Sequence, residues 1–135
     1  QQLGRKTKIK WINKSHNLLF DKLLSGSHEA NKNYGFNITQ VKEISILKYD
    51  IGDFYNKHID MSGHDSDRKL SVIIPLSNDY EGGDTLFFTS KNSINMPKEV
   101  NIATFFPSYI LHEVTEVTKG VRYSLVSWAN GDYFK

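Results

Sequence analysis

From Asn37 onward the chain reads in steps of two. The runs ITQVKEISILKY, KLSVIIPLS, DTLFFT, NIATFFP, LHEVTEV and VRYSLVSWA either alternate apolar with polar residues or are dense in β-branched and aromatic side chains. That is the period of a strand, whose successive side chains point to opposite faces. The segments between them, such as YDIGD, SNDYEGG and KNSINMP, are built from Gly, Asn, Asp and Pro and are too short to hold a crossover helix. At least six strands are therefore expected to run antiparallel, in a sandwich or barrel of the jelly-roll kind.

A chain of 135 residues supports one hydrophobic core, so residues 1–135 are read as a single domain with a β core over about 37–130. Its composition, 39% hydrophobic and 24% charged, lies in the globular range, away from that of disordered chains. There is no cysteine, which removes disulfides, thiolate metal sites and cysteine nucleophiles together. Any metal must be held by His, Asp or Glu. The 17 basic residues nearly balance the 15 acidic ones, leaving no field to attract nucleic acid. The cluster Arg5, Lys6, Lys8 and Lys10 reads as a solvated end. No apolar run approaches the ~20 residues that span a bilayer, and the chain does not open with a basic-then-apolar leader. A soluble, cytoplasmic protein without membrane partners is expected.

One helical stretch precedes the strands, within about 13–32. In SHNLLFDKLLSGSHEANK, residues 15–32, the residues Leu18, Leu19, Leu23 and Leu24 fall near one helical face. Ser15 is the expected N-cap and Gly26 the expected break or stop.

The chemistry is concentrated in YNKHIDMSGHD, residues 55–65. If FYNKHID is a strand, alternation puts His58 and Asp60 on one face, converging an imidazole and a carboxylate. A third ligand must come from the fold, and His112 is the candidate, at the start of a late strand that a jelly roll could bring alongside. Two histidines and one carboxylate make the face that leaves positions open on a non-haem Fe(II). The same ligands bind Zn2+ more tightly, so the argument for iron needs another residue. Arg122, in GVRYSLVSW, is expected on a strand running back beside that of His112. A buried guanidinium facing a metal asks for a dicarboxylate spanning both, with Tyr49 and Thr85 adding hydroxyls. His16, His28 and His64 read as surface residues, and Ile46, Phe87, Phe105 and Val126 as apolar walls.

These residues, in this order, resemble the 2-oxoglutarate and Fe(II)-dependent dioxygenases of the prolyl 4-hydroxylase type, including short bacterial and viral members. Tyr49, HID at 58–60, EGGDTLFF at 81–88 and FPSYILHEVTEVTKGVRYSLVSW at 106–128 carry the likeness, which covers roughly Ile44 to Ala129. The resemblance implies a double-stranded β-helix and the ligands His58, Asp60 and His112. It implies Arg122, Tyr49 and Thr85 on 2-oxoglutarate, Trp128 near the cosubstrate, and Tyr55 and Arg68 near the substrate. The implied reaction consumes O2, releases succinate and carbon dioxide, and hydroxylates a prolyl residue of a peptide or protein, with ascorbate as a reductant. A free amino acid or other small molecule remains an alternative substrate, and a non-enzymatic jelly-roll binder a more distant reading. Asp60 argues against the halogenase relatives, which replace that carboxylate. Trp128 stands where the nucleic-acid demethylase type carries a second Arg.

Overall fold

The computed structural model describes residues 4–133. Three long strands set the architecture: β3 (Gln40–Tyr49), β5 (Arg68–Pro75) and β12 (Arg122–Asn130). With β2 (Lys8–Trp11) and β9 (Thr104–Pro107) they form a five-stranded antiparallel sheet in the order β2-β3-β12-β5-β9. A second antiparallel sheet is ordered β1-β4-β10-β7-β8, from β1 (Arg5–Lys6), β4 (Phe54–His58), β7 (Thr85–Phe87), β8 (Ile94–Asn95) and β10 (His112–Val114). A short ribbon pairs β6 (Glu81–Gly82) with β11 (Val117–Lys119). The result is the expected jelly roll.

Alternation along the long strands sorts their side chains into two layers. Leu47 and Tyr49 of β3, Ile73 of β5, and Val126 and Trp128 of β12 join Phe87, Phe106 and Val114 in the core between the sheets. Their neighbours Ile44, Val72 and Leu125 point the other way and meet Leu23 of the helix α1 (Asn17–Asn31). Each fully buried side chain of this size contributes about 1.5–3 kcal/mol, so the helix is held by its packed face. It has no side-chain cap at its N-terminus.

The structure changes several local expectations. His16, not Ser15, occupies the N-cap position. Gly26 does not stop the helix but lies inside it, where a Cβ would come 3.2 Å from the Phe105 ring; the glycine lets α1 sit close on the sheet. Leu18 is 69% exposed, and Leu19, Phe20 and Leu23 make the contact with the sheet. The basic N-terminal cluster is not a free end, because Arg5 and Lys6 pair with β4 while Lys8 and Lys10 pair with β3. The alternation of Ile9 and Trp11 with Lys8 and Lys10 was the available signal for that strand. Finally, β10 does not neighbour β12. His112 lies between β4 and β7, and Arg122 belongs to the opposite sheet, between β3 and β5.

Candidate active site

Two features of the smaller sheet create a ligand cluster. The register pairs His112 of β10 directly with His58 of β4, placing two imidazoles side by side with ring centroids 4.1 Å apart. Strand β4 ends at His58, so Asp60 arrives from an irregular segment rather than by strand alternation. Its backbone N–H donates to the Ser108 carbonyl at 2.9 Å, which turns the carboxylate back toward the histidines.

The resulting geometry is specific at the level of single atoms. The Nε2 atoms of His58 and His112 lie 3.4 and 3.5 Å from Asp60 Oδ1, and one potential ligand atom from each residue falls within 4.8 Å of the others. Both Nδ1 atoms point at backbone carbonyl oxygens, His58 at Asn56 (2.7 Å) and His112 at Ile110 (2.9 Å). A carbonyl can only accept, so each Nδ1 carries a proton and each Nε2 presents its lone pair to the cluster. Asp60 Oδ2 is occupied: it accepts from the Ser71 hydroxyl at 2.6 Å and from the Trp128 indole N–H at 3.2 Å. Ser71 has spent its one proton, so Ser108, 2.9 Å away, donates to it. Only Oδ1 is left facing the imidazoles.

The electrostatics suit cation ligation. Burial works against a charged Asp60, but His58, the neighbouring His112 and the Ser71 hydroxyl prevail and hold it at about 2. Burial pushes His112 below the usual histidine value, against the pull of Asp60. At neutral pH the cluster therefore offers a carboxylate and, at 112, a neutral imidazole.

The cluster opens on a cavity of about 250 Å³, and Arg122 and Tyr49 line the same cavity. That volume is small for a ligand pocket and suits a compact molecule. Arg122 is 3% exposed. Its Nε donates to Ser124 Oγ at 3.0 Å and its Nη1 to the Gly83 carbonyl at 3.1 Å, and its guanidinium sits 5.1 Å from the centre of the Tyr49 ring. No carboxylate of the described residues forms an ion pair with it; Asp84, the acid that acts on it, pairs with Lys98 at 2.5 Å. Burial lowers its pKa, opposed by Tyr49, Tyr80 and Asp84, yet a guanidinium does not give up its proton. The hydroxyls of Tyr49 and Thr85 are both buried without a hydrogen-bond partner. Thr7, which acts on Tyr49, spends its own proton on the Lys48 carbonyl at 2.8 Å. An uncompensated buried cation beside an orphaned phenol is costly unless a ligand satisfies both. A carboxylate at that end and a metal at the other fit these residues.

The remaining expectations divide. Tyr55, Arg68, Trp128 and Val126 line the cavity; Thr85, Ile46, Phe87 and Phe105 are not among its lining residues, and Phe105 packs toward α1. Tyr55 stacks on His58 with centroids 3.6 Å apart. The Arg68 guanidinium lies 3.6 Å over Trp128 and reaches Asp65 and Glu43 at 3.4 and 3.5 Å. His16, His28 and His64 are exposed. Sequence reasoning did not single out Ser71, a small polar side chain within the apolar strand β5, or Ser108, in the turn just after β9, nor Arg5 as a lining residue.

The family model of the 2OG-Fe(II) oxygenase superfamily matches residues 44–130. A PKHD-type hydroxylase of Idiomarina loihiensis is 28% identical over 92 residues, covering 66% of this chain and 42% of that protein. One from Picosynechococcus is 36% identical over 93 residues, covering 65% and 42%. The chain thus spans about two-fifths of the length of these curated relatives. Among solved structures, a Pseudomonas putida prolyl-4-hydroxylase superposes with a TM-score of 0.80 at 20% identity, covering 95% of this chain and 73% of that one. The viral collagen prolyl hydroxylase of Paramecium bursaria Chlorella virus-1, solved as a 2OG complex, gives 0.74 at 21% identity, covering 96% and 81%.

Proposed function

Since this chain belongs to the 2OG-Fe(II) oxygenase superfamily, a family defined by Fe(II), 2-oxoglutarate and O2, we propose that it hydroxylates a prolyl residue of a peptide or protein. The observation that carries the reading is the buried, anion-less Arg122 on the same cavity as the His58, Asp60 and His112 cluster. A zinc or sugar binder on the same scaffold would have no use for it. Homologues named as PKHD-type hydroxylases and structural neighbours named as prolyl hydroxylases, one of them in complex with a hypoxia inducible factor peptide, support the prolyl class.

In this reading His58 Nε2, Asp60 Oδ1 and His112 Nε2 would hold the iron, as a set of two histidines and one carboxylate. When bound, iron with 2-oxoglutarate and O2 supplies the oxidising power to place one oxygen atom in a C–H bond as the cosubstrate is converted to succinate and carbon dioxide. The protein's part is orientation. Arg122 takes the distal carboxylate of 2-oxoglutarate with a charge-assisted fork, and Tyr49 donates its unspent hydroxyl to the same group. Thr85 keeps a buried, unpartnered hydroxyl but does not line this cavity, so no contact with 2-oxoglutarate is assigned to it. Ser71 and Trp128 keep Asp60 Oδ2 engaged, so the carboxylate ligates through one oxygen. Val126 and Ile73 keep the cavity apolar around the reacting centre. Tyr55 and Arg68 contact substrate at its open side, and the domain spans residues 1–135.

The test is a panel of proline-containing peptides incubated with Fe(II), 2-oxoglutarate and ascorbate. Succinate formed in step with a peptide heavier by one oxygen atom, located on proline by fragmentation, is the expected result. Succinate matched by oxygen only on a non-prolyl small molecule would replace the substrate class while keeping the chemistry.

A further inference from the structure

Three arginines line the cavity, and two of them have an assignment. Arg122 faces the cosubstrate end. Arg68 is engaged by Asp65 and Glu43. Arg5 has neither: no carboxylate of the described residues pairs with it, and its Nε is buried without a hydrogen-bond partner. The adjacent Lys6, by contrast, has Asp53 at 3.7 Å.

Its placement is set by the fold rather than by chance. Arg5 lies in register opposite Tyr55 in the β1–β4 pair, so both side chains project from the same face of the sheet. The guanidinium stands 4.4 Å from the centre of the Tyr55 ring. A parallel imidazole 3.6 Å away, that of His58, covers one face of the same ring, so Arg5 occupies the other. The order is guanidinium, phenol, candidate iron ligand. Arg5 and Arg122 both bear on the buried Tyr49, but they differ in depth. Arg122 is almost sealed, whereas Arg5 comes from an edge strand and is partly exposed, and two further lining residues, Ile9 and Trp11, are 39% and 53% exposed. A cation at the open side of such a site meets what enters after the deep end is filled.

We propose that Arg5 is a substrate-anchoring residue that selects a carboxylate-bearing prolyl substrate and fixes it beside the iron. The assignment rests on the oxygenase reading above. The carboxylate can be the main-chain acid group of a C-terminal proline, or the side chain of an acidic residue flanking an internal proline. Either would give the guanidinium the anion it lacks, and stacking on Tyr55 pre-orients the fork so that little side-chain freedom is lost on binding.

The experiment is calorimetry on protein loaded with Mn(II) and 2-oxoglutarate, which binds without turnover. The probes are N-acetyl-L-proline and its amide, and two internal-proline peptides with Asp or Asn beside the proline. Wild-type protein is expected to bind at least one acid of these pairs roughly tenfold or more tighter than its neutral partner. Arg5→Gln should remove that difference, Arg5→Lys should retain part of it, and Lys6→Gln should keep it. The pair that responds identifies the source of the carboxylate. A wild-type preference absent in both pairs, or unchanged in Arg5→Gln, overturns the proposal. So does an Arg5→Gln variant that weakens 2-oxoglutarate itself while the preference stays, which would assign Arg5 to the cosubstrate. If wild-type protein binds neither Mn(II) nor 2-oxoglutarate, it is the oxygenase reading that fails, and this inference with it.

Discussion

At position 122 a guanidinium that cannot shed its proton is held almost without solvent and without an acid. Such a group is a liability to the empty protein and an asset to the bound one. Arg122→Met should therefore leave the melting temperature of ligand-free protein unchanged or higher, while weakening 2-oxoglutarate by about 2–5 kcal/mol. Calorimetry and a thermal scan on the same samples separate the two effects, and a variant destabilised without loss of affinity would mean the arginine is structural. Ser71 acts one step further from the metal. Removing its hydroxyl in Ser71→Ala takes away the shorter of the two hydrogen bonds to Asp60 Oδ2, and metal affinity should drop by about 10–100-fold, read by competition with a chelating dye. Asp60 also fixes an acid limit. Its carboxyl is about 2 in the folded protein and 3.8 in the unfolded chain, so the unfolded chain takes up the proton first as pH falls. The stabilisation is present above pH 3.8 and is lost as pH falls toward 2. Urea titrations of metal-free protein should show this loss, of order 2 kcal/mol, and Asp60→Asn should lack it.

The elements differ in how far the chain announces them. The long strands β3, β5 and β12 alternate or run apolar over eight or more residues, and their signal survives any local exception. The short strands β1 and β2 are mostly lysine and arginine, held by pairing with β4 and β3 rather than by burial, so a reading that follows hydrophobicity passes over them. Gly26 illustrates the opposite error. Intrinsic propensity makes glycine a helix breaker, but here α1 needs the missing side chain to approach Phe105. Gly26→Leu should cost about 1–3 kcal/mol by overpacking, and Leu23→Ala about 2–5 kcal/mol by leaving a cavity under the helix, both checked by chemical denaturation. At the EGGD turn, Gly82 has φ +70 and a Cβ there would lie 2.2 Å from the Glu116 carbonyl. The turn presents the Gly83 carbonyl to Arg122, so Gly82→Ala should weaken 2-oxoglutarate as well as the fold.

At the scale of the whole molecule, the site is the gap between two sheets, with the two histidine ligands on one, Asp60 just past its β4 strand, and the arginine on the other. The order of His58, Asp60, His112 and Arg122 was legible because ligand chemistry restricts residue type. Which strands carry them was not, because sheet order depends on crossovers between residues far apart in the chain, and Arg122 was expected next to His112 when it faces it from across the cavity. Ser71, Ser108 and Arg5 were illegible for a different reason: serine and arginine are common, and only the fold brings these copies to the site. The central claim is that the two walls hold one iron and one dicarboxylate together. Anaerobic titration of the protein with Fe(II) and then 2-oxoglutarate tests it most directly, through the weak visible charge-transfer band of the chelate. The band should appear in wild-type protein and be absent in His112→Ala and Asp60→Ala; its persistence in both variants would contradict the account.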